Sequence, residues 1–267
     1  MADLAGRRII LTGASEGIGR ALALALAAQG ARVALAARDA TRLEELAREC
    51  RARGGESLVV PTDVENAVDC GWLVEKTVQA FGGIDVVIHN AGITMWSRFD
   101  ALVDLEVIER IMAVNYHAPV RLTALTLPHL KQSKGLLVAV ASIAGLTGVP
   151  ERSGYAASKH AMVGFFDSLR IELRGSGVDV TVIAPDFVVT EIHKRAIGPD
   201  GEPLGESPMV QSKIMTAEQC ARRMVRAIVK RERLVIMSSR GKLGRWLKLV
   251  APSMIDRMAE RAIRNRH

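Results

Sequence analysis

Thr12-Gly13-Ala14-Ser15-Glu16-Gly17-Ile18-Gly19 (TGASEGIG) joins a short β-rich run, Arg7 to Thr12, to a helical stretch, Ile18 to Gln29. Glycines there let the backbone turn sharply and approach a pyrophosphate, which then lies at the positive N-terminus of the helix. One glycine would mean little, because a strand-to-helix turn often wants one anyway. Three at this spacing, between a strand and a helix, indicate a dinucleotide site.

Outward from that turn the chain keeps alternating. Strands are predicted at 32–37 (RVALAA), 57–61, 84–89 (IDVVIH), 135–142 (GLLVAVAS), 178–184 (VDVTVIA) and 234–237. Helices are predicted at 40–53, 66–81, 153–174 and 216–230, with one long or two jointed helices over 101–133, bent at Pro119 and Pro128. The strands are nearly continuous apolar runs, as expected when both faces of a parallel sheet are covered. The fold class is therefore α/β: a Rossmann-like doubly wound parallel sheet of about seven strands with helices on both faces. Residues 1–240 form the dinucleotide-binding catalytic domain, and 241–267 a basic amphipathic extension. Gly198 to Pro208, rich in Gly and Pro, reads as an insertion over the sheet edge.

Tyr155 and Lys159 stand four apart on a predicted helix, hence on one face. A phenol with an ordinary pKa of about 10 exchanges protons poorly at neutral pH, and a neighbouring ammonium favours its ionised form. A solvated helix face is the plain alternative for this pair. Ser142 shifts the balance, because it falls at the C-terminal end of the fifth strand, where ligands of open α/β sheets bind.

Together TGASEGIG, Asn90-Ala91-Gly92, Asn115, Ser142 and Tyr155-Ala-Ala-Ser-Lys159 resemble, in order and spacing, the short-chain dehydrogenase/reductase family, from about residue 5 to residue 190. The resemblance implies an enzyme that interconverts a ketone and a secondary alcohol. Tyr155 would be the general acid in reduction or the base in oxidation. Ser142 would hydrogen-bond the substrate oxygen, Lys159 would depress the tyrosine pKa and hold the nicotinamide ribose, and Asn115 would position a relay water. The cofactor contacts implied are Gly13, Ser15, Glu16, Gly17, Ile18 and Gly19 in the turn. Asp63 and Val64 would lie at the adenine, Asn90, Ala91 and Gly92 beneath the cofactor, and Pro185, Val188 and Thr190 at the carboxamide.

Cofactor choice follows from charge. The second strand ends Ala36-Ala37-Arg38, without the carboxylate that would bind a ribose 2′-hydroxyl. Arg38 can pair with a 2′-phosphate, so NADP(H) is expected. Glu16 argues for NAD instead, as does reading Arg38 as a solvated residue at the helix start. Two further departures stand out. His89 occupies the place of the family's first Asn, where a packed core histidine is the plain reading. Asp186 replaces the Gly of the family's Pro-Gly, which leaves the path of that loop open. Met95, Trp96, Phe99, Ile143, Leu146, Val149 and Phe187 follow strand ends and suggest an apolar pocket for a steroid-like, acyl or aromatic carbonyl substrate. A non-catalytic redox sensor or scaffold is the alternative, although it would more naturally have lost Ser142, Tyr155 or Lys159. The family resemblance also implies a homodimer or homotetramer, through the helices around 101–133 and 153–174.

Composition sets the outer bounds. The 267 residues are 49% hydrophobic and 24% charged, as in an ordinary globular protein. The longest uncharged stretch, Gly135 to Pro150, is 16 residues, short of the ~20 that a spanning helix needs. Met1 to Gly6 has no basic flank leading into an apolar run, so no signal peptide is expected. Cys50, Cys70 and Cys220 have no paired or metal-ligand spacing, which suits a reducing cytosol. A formal net charge of +7 invites nucleic acid as a partner. Its distribution argues otherwise: Thr216 to His267 carries 14 Lys or Arg against 4 Asp or Glu, whereas residues 1–215 are slightly acidic. With only 4% aromatic residues, no base-stacking surface is expected. Gly241 to Val250 mixes Leu243, Trp246, Leu247, Leu249 and Val250 with Lys242, Arg245 and Lys248. A second helix is expected from Ser253, with Ile255, Met258, Ala262 and Ile263 near one face and Arg257, Arg261 and Arg264 elsewhere. Such helices lie on a membrane surface or pack on their own domain or a partner subunit.

Overall fold

The computed structural model describes residues 4–206 and 214–264, with side chains through 261 in the last helix. Its elements alternate as the apolar runs predict: β1 (Arg8–Thr12), α1 (Gly17–Ala27), β2 (Arg32–Ala37), α2 (Ala40–Ala52), β3 (Glu56–Pro61), α3 (Ala67–Phe81) and β4 (Val86–His89). Then come α4 (Glu106–Met112), α5 (Ala118–Ser133), β5 (Leu136–Val140), α6 (Ser153–Glu172) and β6 (Asp179–Ala184). Two short strands, β7 (Val188–Val189) and β8 (Met215–Thr216), precede α7 (Ala217–Lys230) and β9 (Leu234–Ile236). The chain closes with α8 (Ser239–Val250) and α9 (Pro252–Arg264).

One seven-stranded sheet runs β3-β2-β1-β4-β5-β6-β9, and every pairing in it is parallel. Period-two alternation divides each strand between two cores. Ile9 and Leu11 of β1, Val33 and Leu35 of β2, and Leu136 and Val138 of β5 join α1, α2 and α7 on one face. Their neighbours Ile10, Ala34 and Leu137 join α3, α5 and α6 on the other. A strand polar on either side could not serve both cores, which is why the runs are continuously apolar. β1 lies between β2 and β4, so the strand order reverses beside it and opens a crevice at the carboxyl ends. At the opposite end Arg8 clamps Asp85 with Nε and Nη2, each at 2.8 Å, fastening β1 to β4 away from the crevice.

The 101–133 stretch departs from expectation. A 3₁₀ turn occupies Phe99–Ala101, and the joint between α4 and α5 is one π turn, Ala113–His117. Pro119 follows directly on that π turn, in the first turn of α5, and Pro128 is accommodated inside the helix. α9 starts at Pro252, one residue ahead of the expected Ser253, with proline at the first helical position. The side chains of Ala262, Ile263 and Arg264 lie outside the described residues, as do 207 and 208 of the Gly/Pro-rich insertion.

Candidate active site

The crevice is a cleft of about 670 Å³. Every catalytic and cofactor-binding residue expected from the sequence lines it, with the exception of Asn115. One end is built largely from backbone. Gly13 has φ +64°, and a Cβ there would stand 2.8 Å from Ala91 Cα. A Cβ at Gly19 would overlap the Gly13 carbonyl oxygen. The Asn90 amide locks this packing by donating to Thr12 O at 3.0 Å and Gly13 O at 3.1 Å. Thr12 Oγ1 in turn accepts from the N–H groups of Asn90 (3.0 Å) and Ala91 (3.1 Å). α1 then begins without a side-chain cap, unlike α2, α3, α7 and α8. Uncapped N–H donors at a helix start suit an anion, so the residues present fit a dinucleotide pyrophosphate.

Arg38, Asp39 and Arg42 form the rim beyond β2. Asp39 caps α2 by accepting from Arg42 N at 3.0 Å. Glu16 is held between two cations, accepting from Arg42 at 3.0 Å and Arg195 at 2.6 Å. The carboxylate that argued against a 2′-phosphate is therefore already paired. Arg42 and Arg195 were missed in the sequence; Arg42 stood four residues beyond Arg38, a spacing that could have flagged it. Asp63 lies in a turn fastened by its own Oδ1, which accepts from Glu65 N at 3.0 Å, and Arg121 holds the Glu65 carbonyl at 2.9 Å.

The middle of the cleft gathers Ser142, Tyr155 and Lys159. Lys159 Nζ donates to Val140 O at 2.9 Å and lies 5.8 Å from the Tyr155 ring centre. Burial pushes the Lys159 ammonium down to about 8. Burial also raises the Tyr155 phenol above its ordinary value, while the Arg152 charge and a hydrogen bond with Ser142 pull it down. The phenol accordingly keeps its proton at neutral pH, as an acid requires. Asn115 sits fully buried in the π turn behind these groups. Its Oδ1 accepts from Ile93 N, and its Nδ2 donates to Ile93 O and Ser158 Oγ, each at 2.9 Å. A Cβ on Gly92 would lie 3.1 Å from Asn115 Oδ1 and 3.5 Å from Lys159 Nζ, so the three residues converge.

At the other end, side chains make the walls. Of the apolar residues expected there, Ile143, Val149 and Phe187 line the cleft. Met95 turns instead into a small core with Ile111 and Ile197, because its backbone bridges to Ile197. Phe99 is exposed on its 3₁₀ turn. Arg152 and His193, not singled out in the sequence, also line this end. Asp186 follows Pro185 as a latch: it accepts from Ser238 Oγ at 2.7 Å and Arg240 Nη2 at 2.8 Å, tying the start of α8 to the loop. His89 is buried in the core, with Nε2 3.0 Å from Thr123 Oγ1 and its ring tilted against Phe166.

Residues 7–198 match the family model described as short chain dehydrogenase. The chain belongs to the short-chain dehydrogenase family. It is similar to the 11-beta-hydroxysteroid dehydrogenase 1A of Arabidopsis thaliana, 34% identical over 261 residues, covering 95% of this chain and 74% of the relative. It is also similar to dehydrogenase/reductase SDR family member 7B of Bos taurus, 36% identical over 269 residues, covering 97% and 82%. Among solved structures, an alcohol dehydrogenase from the archaeon Thermococcus sibiricus complexed with 5-hydroxy-NADP superposes with TM-score 0.75 at 28% identity, over 86% of this chain and 95% of that one. As a short-chain dehydrogenase the protein is an oxidoreductase acting on CH–OH groups, and its family binds a nicotinamide dinucleotide. That favours the enzyme over the sensor or scaffold.

Proposed function

We propose that this short-chain dehydrogenase uses NADP(H) to interconvert a ketone and a secondary alcohol on a hydrophobic substrate, steroid-like, acyl or aromatic. The observation that carries the reading is the meeting of Tyr155, Ser142 and Lys159 in the same cleft as the glycine turn. When bound, the nicotinamide supplies or accepts the hydride. In reduction the protonated Tyr155 gives its proton to the carbonyl oxygen, to which Ser142 also hydrogen-bonds, a local stabilisation of developing charge. Lys159, converging with Gly92 and Asn115, restores that proton, and Asn115 Oδ1 keeps a second lone pair for a relay water. Gly13, Ser15, Gly17, Ile18 and Gly19 take the pyrophosphate, Asp63 and Val64 the adenine, and Pro185, Val188 and Thr190 the carboxamide. NADP is preferred because Arg38 and Arg42 stand at the rim with Glu16 already paired. The relatives named as hydroxysteroid dehydrogenases support a steroid-like substrate. NADPH consumption with a panel of ketones tests the reading; turnover that is unchanged in Tyr155→Phe would remove it.

The extension is read as a surface for a membrane interface. No described helix is long and apolar enough to cross a membrane. Leu243, Trp246 and Val250 lie on one face of α8 and are 58, 70 and 76% exposed, among Lys242, Arg245 and Lys248. Co-flotation of the full chain with anionic liposomes, lost in Trp246→Glu, is the expected result. A change in mass by light scattering without liposome binding would assign the face to a homodimer or homotetramer instead.

A further inference from the structure

The last strand of the sheet brings a second helix start behind the cleft. β9 ends at Ile236, and Met237 N–H donates to Ala184 O at 3.2 Å, which sets the first turn of α8 against the loop that leaves β6. Asp186, whose side chain is 11% exposed, uses both oxygens in that contact. Oδ2 accepts from Ser238 Oγ at 2.7 Å, and Oδ1 accepts from the neighbouring Phe187 N–H at 2.9 Å. Arg240 Nη2 spans the two oxygens at 2.8 and 3.0 Å, and its guanidinium carbon stands 5.8 Å from the Phe187 ring centre. Ser238 Oγ also accepts from Gly241 N–H at 2.9 Å, so one hydroxyl caps α8 and forms a rung of the latch.

The same turn of α8 reaches the loop after β5. Pro185 O, one residue before Asp186, accepts from Ile143 N–H at 2.9 Å, and Ile143 directly follows Ser142. A Cβ on Gly241 would stand 2.8 Å from Ile143 Cγ2, so the helix packs directly against that residue. Farther along α8, Lys248 Nζ donates to Leu146 O at 3.3 Å. The far end of the β6 loop is fixed separately, by pairing of Val188 with Met215 and of Val189 with Thr216. Asp186 therefore holds the near end of the stretch that takes the carboxamide in the proposed reaction. Through Pro185 it also holds the backbone beside Ser142. Hydride transfer needs both surfaces in register, and small displacements of reacting groups cost much of the rate. We propose that Asp186 and Arg240 are positioning residues, which makes the start of α8 a working part of the active site and not an appendage to it. This rests on the oxidoreductase reading of Tyr155. Neither side chain takes part in a bond change; both act through the two loops they hold.

The test follows a single turnover of NADPH with a ketone that the wild type reduces, in Asp186→Asn, Arg240→Gln and the double variant. The rate is expected to fall about tenfold in Asp186→Asn, where charge-assisted bonds are lost. It should fall about threefold in Arg240→Gln, whose side chain is 69% exposed and whose loss leaves Ser238 in place. The double variant should lose about tenfold, not about thirtyfold, because both residues act through one contact. NADPH affinity by fluorescence titration should change by no more than about twofold, since the glycine end is untouched. Unchanged rates in both single variants, or losses that multiply in the double variant, overturn the proposal. A fall in NADPH affinity that matches the fall in rate overturns it too. Should Asp186→Asn fail to fold, Arg240→Gln decides alone: rate lost with affinity kept sustains the proposal, and rate kept overturns it. If the wild type reduces no carbonyl compound, the reading of Tyr155 fails separately, and hydrogen exchange read by mass spectrometry decides the latch. Faster exchange at 141–147 as well as 185–190 in either variant, with 12–19 unchanged, sustains it. Unchanged exchange at 141–147 in both variants overturns it.

Discussion

The two ends of the cleft are built from different materials. The glycine end is backbone packed on backbone, with Gly13 against Ala91, Gly19 against the Gly13 carbonyl, and the Asn90 amide pinning the turn. The substrate end is side chain on side chain, with Arg152 from just before α6 meeting Phe187 and His193 from the segment after β6. Backbone packing tolerates one residue type at each position and leaves a contiguous motif. Side-chain walls tolerate many combinations and leave none. The shared chemistry of the family therefore lies at one end, and what is particular to this chain at the other.

Tyr155 stands where the ends meet, and its loss should be the largest single effect. Tyr155→Phe is expected to lower ketone reduction about a thousandfold while NADPH affinity, read by fluorescence titration, changes little. An equal loss of cofactor affinity would erase the division between the ends. Gly19→Val should break the backbone-made end alone. It forces a Cβ onto the Gly13 carbonyl and should cost about 2–3 kcal/mol in denaturant unfolding as well as NADPH binding. Added bulk at the side-chain end, such as one methylene in Val149→Ile, should leave both nearly intact.

Acid should act on two buried histidines, one in the core and one lining the substrate end. Burial pushes His89 down to about 3, and burial with the Arg152 charge pushes His193 down to about 4, both from an ordinary 6.5. Between those values and 6.5 the unfolded chain binds protons that the folded chain refuses. Stability is therefore full above about pH 6.5 and falls as pH drops, by at most about 1.4 kcal/mol per pH unit for each group. His89→Gln should flatten that decline in urea titrations at pH 7 and pH 5. In Arg152→Gln the His193 titration followed by NMR should move up while that of His89 stays, separating a charge effect from a burial effect. The smallest expected effect is at the rim. If Arg38 pairs with a 2′-phosphate as proposed, Arg38→Leu should raise the NADPH Michaelis constant about tenfold and change that for NADH much less.

What was legible in the sequence follows the same division. Every strand of the main sheet could be located because its alternating residues feed two cores, and the glycine turn could be read because its constraints are local. The π turn around Asn115, at the joint between α4 and α5, was not foreseen because it is held by tertiary contacts with Ile93 and Ser158, which no local pattern announces. Glu16 was weighed as an isolated carboxylate, whereas Arg195, one of its partners, is 179 positions away. Asp186 was legible as a departure from the family pattern, but its purpose waited on Ser238 and Arg240, more than fifty residues downstream. Arg152 had a local signal that went unused: a cation three residues before Tyr155, at the start of the same helix.

The most direct test of the central claim is to follow deuterium from NADPH, labelled at the transferring nicotinamide carbon, into a ketone by mass spectrometry, in wild type and Tyr155→Phe. The account predicts one deuterium on the carbinol carbon of the wild-type product and about a thousandfold slower labelling in the variant. Absence of label with the wild type, or labelling at the wild-type rate in Tyr155→Phe, would contradict it.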